Sequence, residues 1–110
     1  MMKKILATAL LLACSLPLSA LAATKTVTVK EAKTLRDDTR VVLTGKIVSR
    51  AGDDDHYWLQ DSTGKIRIDV DDDDWEDNHV AIGKKVRVVG DVDKNDRRTE
   101  IEVDHIRVVH

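Results

Sequence analysis

Two periodicities divide the chain. From Arg40 onward apolar residues recur at every second position, the spacing that gives a strand one buried and one solvated face. Val41, Leu43, Gly45 and Ile47 share one side of the first such run, with Val42, Thr44, Lys46 and Val48 on the other. His56–Gln60 and Lys65–Val70 form the next two runs, and the turn-forming residues Asp61-Ser62-Thr63-Gly64 between them predict a hairpin. Lys84–Val92 then places Val86, Val88 and Val92 inside, Asp93–Arg98 is a charged turn, and Thr99–Val103 returns from it. The phase slips at Asp104-His105 before Ile106 and Val108 take over, which predicts a β-bulge there.

Ahead of the strands the period is helical. Val29, Ala32 and Leu35 recur at helix spacing, and Thr28 followed three residues later by Glu31 has the capping-box pattern. The expectation is a helix of two to three turns ending near Asp37-Asp38. The polar, Asp-rich segment from Asp71 to Gly83 reads as a loop or short helical turn that docks Trp75 and Val80 on the end of the β structure. Five strands, the first one long, with an insertion between the third and fourth, match a mainly β, five-stranded Greek-key barrel of the oligonucleotide/oligosaccharide-binding (OB) kind. Gly45 and Gly90 inside strands suit the sharp bending of a small barrel. An open meander sheet with one helix is the alternative; it leaves two long edges to protect, which favours closure.

The first 22 residues have a different character. Met1-Met2-Lys3-Lys4, an apolar run from Ile5 to Leu12 and Ala20-Leu21-Ala22 before a polar chain read as a cleaved secretory signal peptide. The apolar stretch, broken by Ser15, Pro17 and Ser19, is too short for a bilayer span of roughly 20 residues. Leu11-Leu12-Ala13-Cys14 also resembles a lipoprotein site with Cys14 lipidated, but apolar residues resume at Leu16 and Leu18 and a better-placed site follows. The expected organisation is a leader over 1–22 and one domain over 23–110, located in the periplasm. Cys14, the single cysteine, leaves with the leader, so packing alone must hold the domain.

Of 18 basic residues, Lys3 and Lys4 leave with the leader, so 16 face 20 acidic ones in the mature domain, a net charge of −4. An acidic exported domain is a poor match for nucleic acid, whose phosphates are gripped by clustered Lys and Arg. The acids are concentrated in Asp53-Asp54-Asp55 and Asp71-Asp72-Asp73-Asp74, with Glu76 and Asp77 following. Such runs are ordinarily solvated loops. If the fold brings the two loops together they become a patch that attracts cations or cationic peptides.

No catalytic constellation is present. The mature chain lacks a cysteine, a Gly-x-Ser-x-Gly, a phosphate-cradling glycine loop and a His-Glu-x-x-His. His56, His79, His105 and His110 are scattered, so a metal site would require the fold to gather distant residues, and surface or rim positions are expected for all four. Counting a calcium loop from Asp69 gives acids at positions 1, 3 and 5, yet position 6 is Asp74 where glycine is needed and position 12 is Val80 where Glu is needed. An EF-hand is excluded. No enzyme activity, cofactor or dedicated metal is expected.

OB barrels bind ligands on the outer face of their second and third strands and in two adjoining loops. The strand phases place Trp58, Gln60, Arg67 and Asp69 there, flanked by Asp53–Asp55 and Lys94–Arg98. An outward Trp58 beside Arg67 is suited to stacking on a sugar or clamping a peptide; otherwise Trp58 packs under the helix or a loop. Tyr57, Trp58 and Trp75 are the only aromatic residues, too few for a single-strand nucleic-acid platform.

One ordered series carries a family resemblance. Ala32–Asp38, Val41–Val48, Asp61-Ser62-Thr63-Gly64, Ile68-Asp69-Val70-Asp71, Trp75 and Val89–Asp93 together resemble the bacterial OB-fold family of small periplasmic proteins, the YgiW- and YdeI-like group. The resemblance spans nearly all of the mature chain. It implies one exported OB barrel in a Gram-negative periplasm, without catalysis, linked to envelope, antimicrobial or oxidative stress tolerance, with a saccharide, peptide or envelope protein as partner. It supplies no residue-level site, and the two aspartate runs look denser here than in the family pattern.

Overall fold

Alternation becomes strand almost residue for residue. The computed structural model describes residues 24–52 and 54–110; the leader, its cleavage site, Cys14 and Asp53 lie outside the described residues. A short strand β1 (Thr24–Thr26) and helix α1 (Val29–Ala32) precede β2 (Arg40–Arg50), β3 (His56–Asp61) and β4 (Gly64–Asp69). Helix α2 (Asp72–Asp77), β5 (Lys85–Lys94) and β6 (Thr99–Val108) complete the chain.

The strands run β1-β2-β3-β4-β6-β5, and a β2–β5 pairing closes the last five into a barrel. Closure works because β2 is long enough to serve two neighbours. Arg40–Lys46 pair with β5 and Lys46–Arg50 pair with β3. Only β4–β6 within the barrel is parallel, through Arg67, Ile68 and Asp69 against Glu100, Ile101 and Glu102. The expected bulge is present: Val89 pairs with His105 and Gly90 with Val103, which leaves Asp104 as the extra residue. That kink aims the Asp104 carboxylate at Arg40, 2.5 Å away. A second irregularity skips Val48 between β2 and β3.

The inward set is the one the alternation names. Val41, Leu43, Ile47, Leu59, Ile66, Ile68, Val86, Val88, Val92 and Ile101 are buried in one cluster. Val70 and Val80 extend it at the end where α2 crosses, and Trp75 packs there with its ring stacked on Tyr57, centroids 3.8 Å apart and planes 10° off parallel. Trp75 and Val80 therefore dock on the end of the barrel as expected.

The first helix is shorter than the spacing predicts. Its capping box forms, with Glu31 N–H donating to Thr28 Oγ1 and Thr28 N–H to Glu31 Oε1, but one α-turn suffices. After Lys33 the bonds shorten to i→i+3, Thr34 N–H to the Glu31 carbonyl and Leu35 N–H to the Ala32 carbonyl. Thr34 also bonds the Glu31 carbonyl through its hydroxyl, and Asp38 takes a positive φ of 67°. Local side-chain bonds and the turn into β2 thus end the helix before its apolar spacing does.

Asp61 anchors that helix from the β3–β4 turn. Its Oδ2 accepts the Val29 N–H at 2.9 Å, and its Oδ1 accepts the Thr63 N–H and hydroxyl at 2.8 and 2.6 Å. Burial pushes its carboxyl upward, but the bonds from Thr63, Val29 and Gly64 outweigh burial and hold it below the ordinary carboxylate value. Because the folded value is depressed, the stability Asp61 contributes is present above the unfolded value of about 4 and is lost as pH falls through the folded one. Asp61→Asn is expected to be less stable than the parent at pH 7, with the gap closing as the pH is lowered through and below about 4. Urea midpoints at pH 7 and at successive acid steps read this directly; a gap independent of pH would refute it.

Candidate functional site

Alternation leaves the second side chain of each pair on the outer face of β3 and β4. His56 stands opposite Asp69, Trp58 opposite Arg67, and Gln60 opposite Lys65. The four predicted face residues, Trp58, Gln60, Arg67 and Asp69, are therefore brought together on one surface. Trp58 is half-buried and points outward, and helix α1 docks instead on the turn through Asp61 and Thr63. The Lys65 ammonium lies over the indole, 5.0 Å from its ring centroid. A ligand stacking on Trp58 would displace that exposed lysine, an exchange that costs little where the ammonium can return to water.

The face changes character along its length. Beyond Gln60 a groove of about 480 Å³ runs across β2, β3 and β5, lined by Thr44, Lys46, Gln60, Asp61, Ser62 and Lys85 with Gly45 and Gly83. Lys46 pairs directly with both Gln60 and Lys85, so this end is basic. At the opposite end the strands carry acids. Asp69 pairs with Glu102, and Arg67 pairs with Glu100, its Nε 3.3 Å from Glu100 Oε1. His56 Nε2 lies 3.7 Å from Asp69 Oδ2 and 3.7 Å from Glu100 Oε2. The fold thus gathers one of the scattered histidines, at the rim, with two carboxylates, a grouping that spacing along the chain does not show. His79, His105 and His110 remain exposed.

The two aspartate runs do meet. Carboxylates of Asp55, Asp69 and Asp71 lie within 4.8 Å of one another. Asp55 is raised above the ordinary carboxylate value, first by a hydrogen bond shared with Asp72, then by burial and by the charges of Asp72, Asp69 and Asp54. Glu102 is also raised, by burial first and then by Asp93, Asp69, Asp104 and Asp91. Asp54, Asp72 and Asp73 are exposed, and Asp74 is half-buried in α2. The acidic end is one in which several negative groups crowd each other.

The flanking β5–β6 loop contributes less than expected. Lys94 is spent on structure, with its N–H on Asp37 and its Nζ donating to the Lys33 and Leu35 carbonyls. Glu100, Lys65, Lys46 and Lys85 are not among the site residues that the sequence predicts. Strand phase already set Lys46, Lys65 and Lys85 outward, but nothing local placed β6 beside β4, so Glu100 carried no signal.

Comparison with known proteins agrees with this architecture. The family described as Bacterial OB fold (BOF) protein matches residues 20–108. Protein YgiW of Escherichia coli K12 is 43% identical over 83 residues, covering 76% of this chain and 63% of the relative, so the matched stretch spans less than two thirds of that protein. The calcium-regulated OB-fold protein CarO of Pseudomonas aeruginosa is 37% identical over 84 residues, covering 76% of this chain and 72% of CarO. The solved structure of YgiW from E. coli superposes with a TM-score of 0.69 over 76% of this chain and 89% of that one.

Proposed function

The chain belongs to the bacterial OB-fold (BOF) family, and from that premise we propose that it is a non-enzymatic periplasmic binding protein that supports envelope, antimicrobial or oxidative stress tolerance. Its ligand is a polar chain of the envelope, a saccharide or an extended peptide, held on the outer face of β3 and β4. The observation that carries this reading is Trp58 facing outward with Arg67 directly opposite and the Gln60 groove beyond. An aromatic plane fixes a ring or an extended chain, and the guanidinium and amide beside it supply directional bonds. The signal-like first 22 residues support the periplasmic assignment. Binding without chemistry is favoured because the face holds no nucleophile poised against a base among the described residues.

Trp58→Ala is expected to weaken glycan-fragment or peptide binding by roughly tenfold, the loss of about 1.4 kcal/mol of stacking. Calorimetry with peptidoglycan fragments and with neutral peptides, parent against variant, measures it. Equal affinity in the two proteins would move the ligand off this face.

A second reading is favoured by the convergence of Asp55, Asp69 and Asp71. In it the acidic loops, with Asp53, Asp54 and Asp72–Asp74, attract cations or cationic peptides and the barrel is scaffold. Such binding weakens steeply with salt, whereas stacking on Trp58 does not.

A further inference from the structure

The acidic end of the face contains a smaller group of different chemistry. His56, Asp69 and Glu100 come from three adjacent strands, β3, β4 and β6, and face one another at its edge. Their facing atoms are 3.7 Å apart from imidazole to each carboxylate. That is too long for a hydrogen bond. It is close to the edge of a tetrahedron built on metal–ligand bonds of about 2.1 Å, roughly 3.4 Å.

The imidazole is oriented for this. His56 Nδ1 lies 3.0 Å from the Asp54 carbonyl, and a carbonyl oxygen only accepts, so Nδ1 carries the proton there and Nε2 of the neutral ring turns its lone pair toward the carboxylates.

Glu100 supplies an independent observation. It is the one charged residue buried among the described residues, with its side chain 12% exposed. Arg67 Nε is 3.3 Å from its Oε1, yet that buried Nε makes no hydrogen bond, so the N–H is not directed at the carboxylate. Its Oε2 faces His56. The Arg67 guanidinium, on the Oε1 side, offsets part of the cost of burying that carboxylate, and a cation on the Oε2 side would offset more of it. On the loop side the single atom Asp55 Oδ1 is buried without a hydrogen-bond partner, and Asp69 belongs to both groups of carboxylates.

We propose that His56, Asp69 and Glu100 form a site for one first-row divalent transition cation, with Asp55 or Asp71 completing the ligand set. Arg67 stays on Glu100 Oε1 and steadies that carboxylate from outside the site. A mixed nitrogen and oxygen donor set suits zinc and its neighbours, whereas calcium and magnesium take oxygen alone and in larger number. The site shares Asp69 with both readings above and Asp55 or Asp71 with the second, but goes beyond them in chemistry and needs neither Trp58 nor the Asp72–Asp74 run.

Titration calorimetry of the purified protein with Zn²⁺ tests it, with Co²⁺ absorption reporting coordination number. The expected result is one Zn²⁺ per chain with a four-coordinate Co²⁺ spectrum. Affinity falls tenfold or more in His56→Gln and in Glu100→Gln, and is unchanged in a Glu76→Gln/Asp77→Asn control that lowers the acidic charge without touching the site. Glu100→Gln leaves Arg67 without its carboxylate, so His56→Gln, a change at a rim position, keeps the test decisive if the first variant unfolds. Zn²⁺ binding undiminished in His56→Gln overturns the proposal, as does displacement of Zn²⁺ by equimolar Ca²⁺, which would assign the ion to the Asp55, Asp69 and Asp71 oxygens.

Discussion

Gly90→Ala is expected to cost about 3 kcal/mol or more, or to prevent folding outright. Gly90 lies in β5 between two strands, paired with Val41 of β2 on one side and Val103 of β6 on the other. A Cβ built there runs into the Glu102 carbonyl oxygen and stands 2.9 Å from both the Glu102 carbonyl carbon and Val103 Cα. These are backbone atoms, so no rotamer change clears them; β6 itself must move, and with it the bulge that begins at the next pairing. For a domain of this size the loss corresponds to a fall of roughly 15 °C in Tm. A variant melting within about 2 °C of the parent would mean the two strands do not approach this closely. Gly45 is a milder version of the same constraint, with the Gln60 carbonyl oxygen 2.6 Å from the added carbon.

Leu59→Ala is expected to cost about 2–5 kcal/mol, because it empties a fully buried position at the centre of the barrel. Its neighbour Trp58 provides the contrast. Trp58 is the larger side chain, yet it faces out and takes no part in the core cluster, so Trp58→Ala should cost under about 1 kcal/mol of stability while removing ligand stacking. Denaturant midpoints at unchanged slope measure both. A Trp58→Ala variant destabilised as much as Leu59→Ala would show that the indole is part of the core and would remove the basis for a ligand face on β3 and β4.

The bulge was legible because Val103 and Ile106 cannot both face the core unless one residue between them is skipped, and Asp104 is that residue. The end cap was legible because Trp75 and Val80 are bulky apolar side chains in a polar, Asp-rich segment, and they cover the end of the barrel. Helix length was not legible, since apolar spacing records which residues face the core and carries no information about where a threonine side chain competes for a helix carbonyl. The structural role of Lys94 is hidden from the sequence for a similar reason. Its attachment to the Lys33 and Leu35 carbonyls crosses about 60 residues of chain, and composition cannot show it.

What the sequence determined by itself is the inside and outside of each strand. The alternation of apolar and polar residues is a local pattern, and burial of one face leaves a strand no choice of orientation. Trp58, Gln60, Arg67 and Asp69 were assigned to the outer face on that basis alone. What only the tertiary structure decided is which outer faces become neighbours. The parallel pairing of β4 with β6 sets Glu100 beside Arg67 and within reach of His56, and the loop after β2 meets the start of α2 at Asp55, Asp69 and Asp71. Those contacts arise from closing the sheet into a barrel, where the partners of an edge are set by the geometry of closure and not by any pattern within a strand.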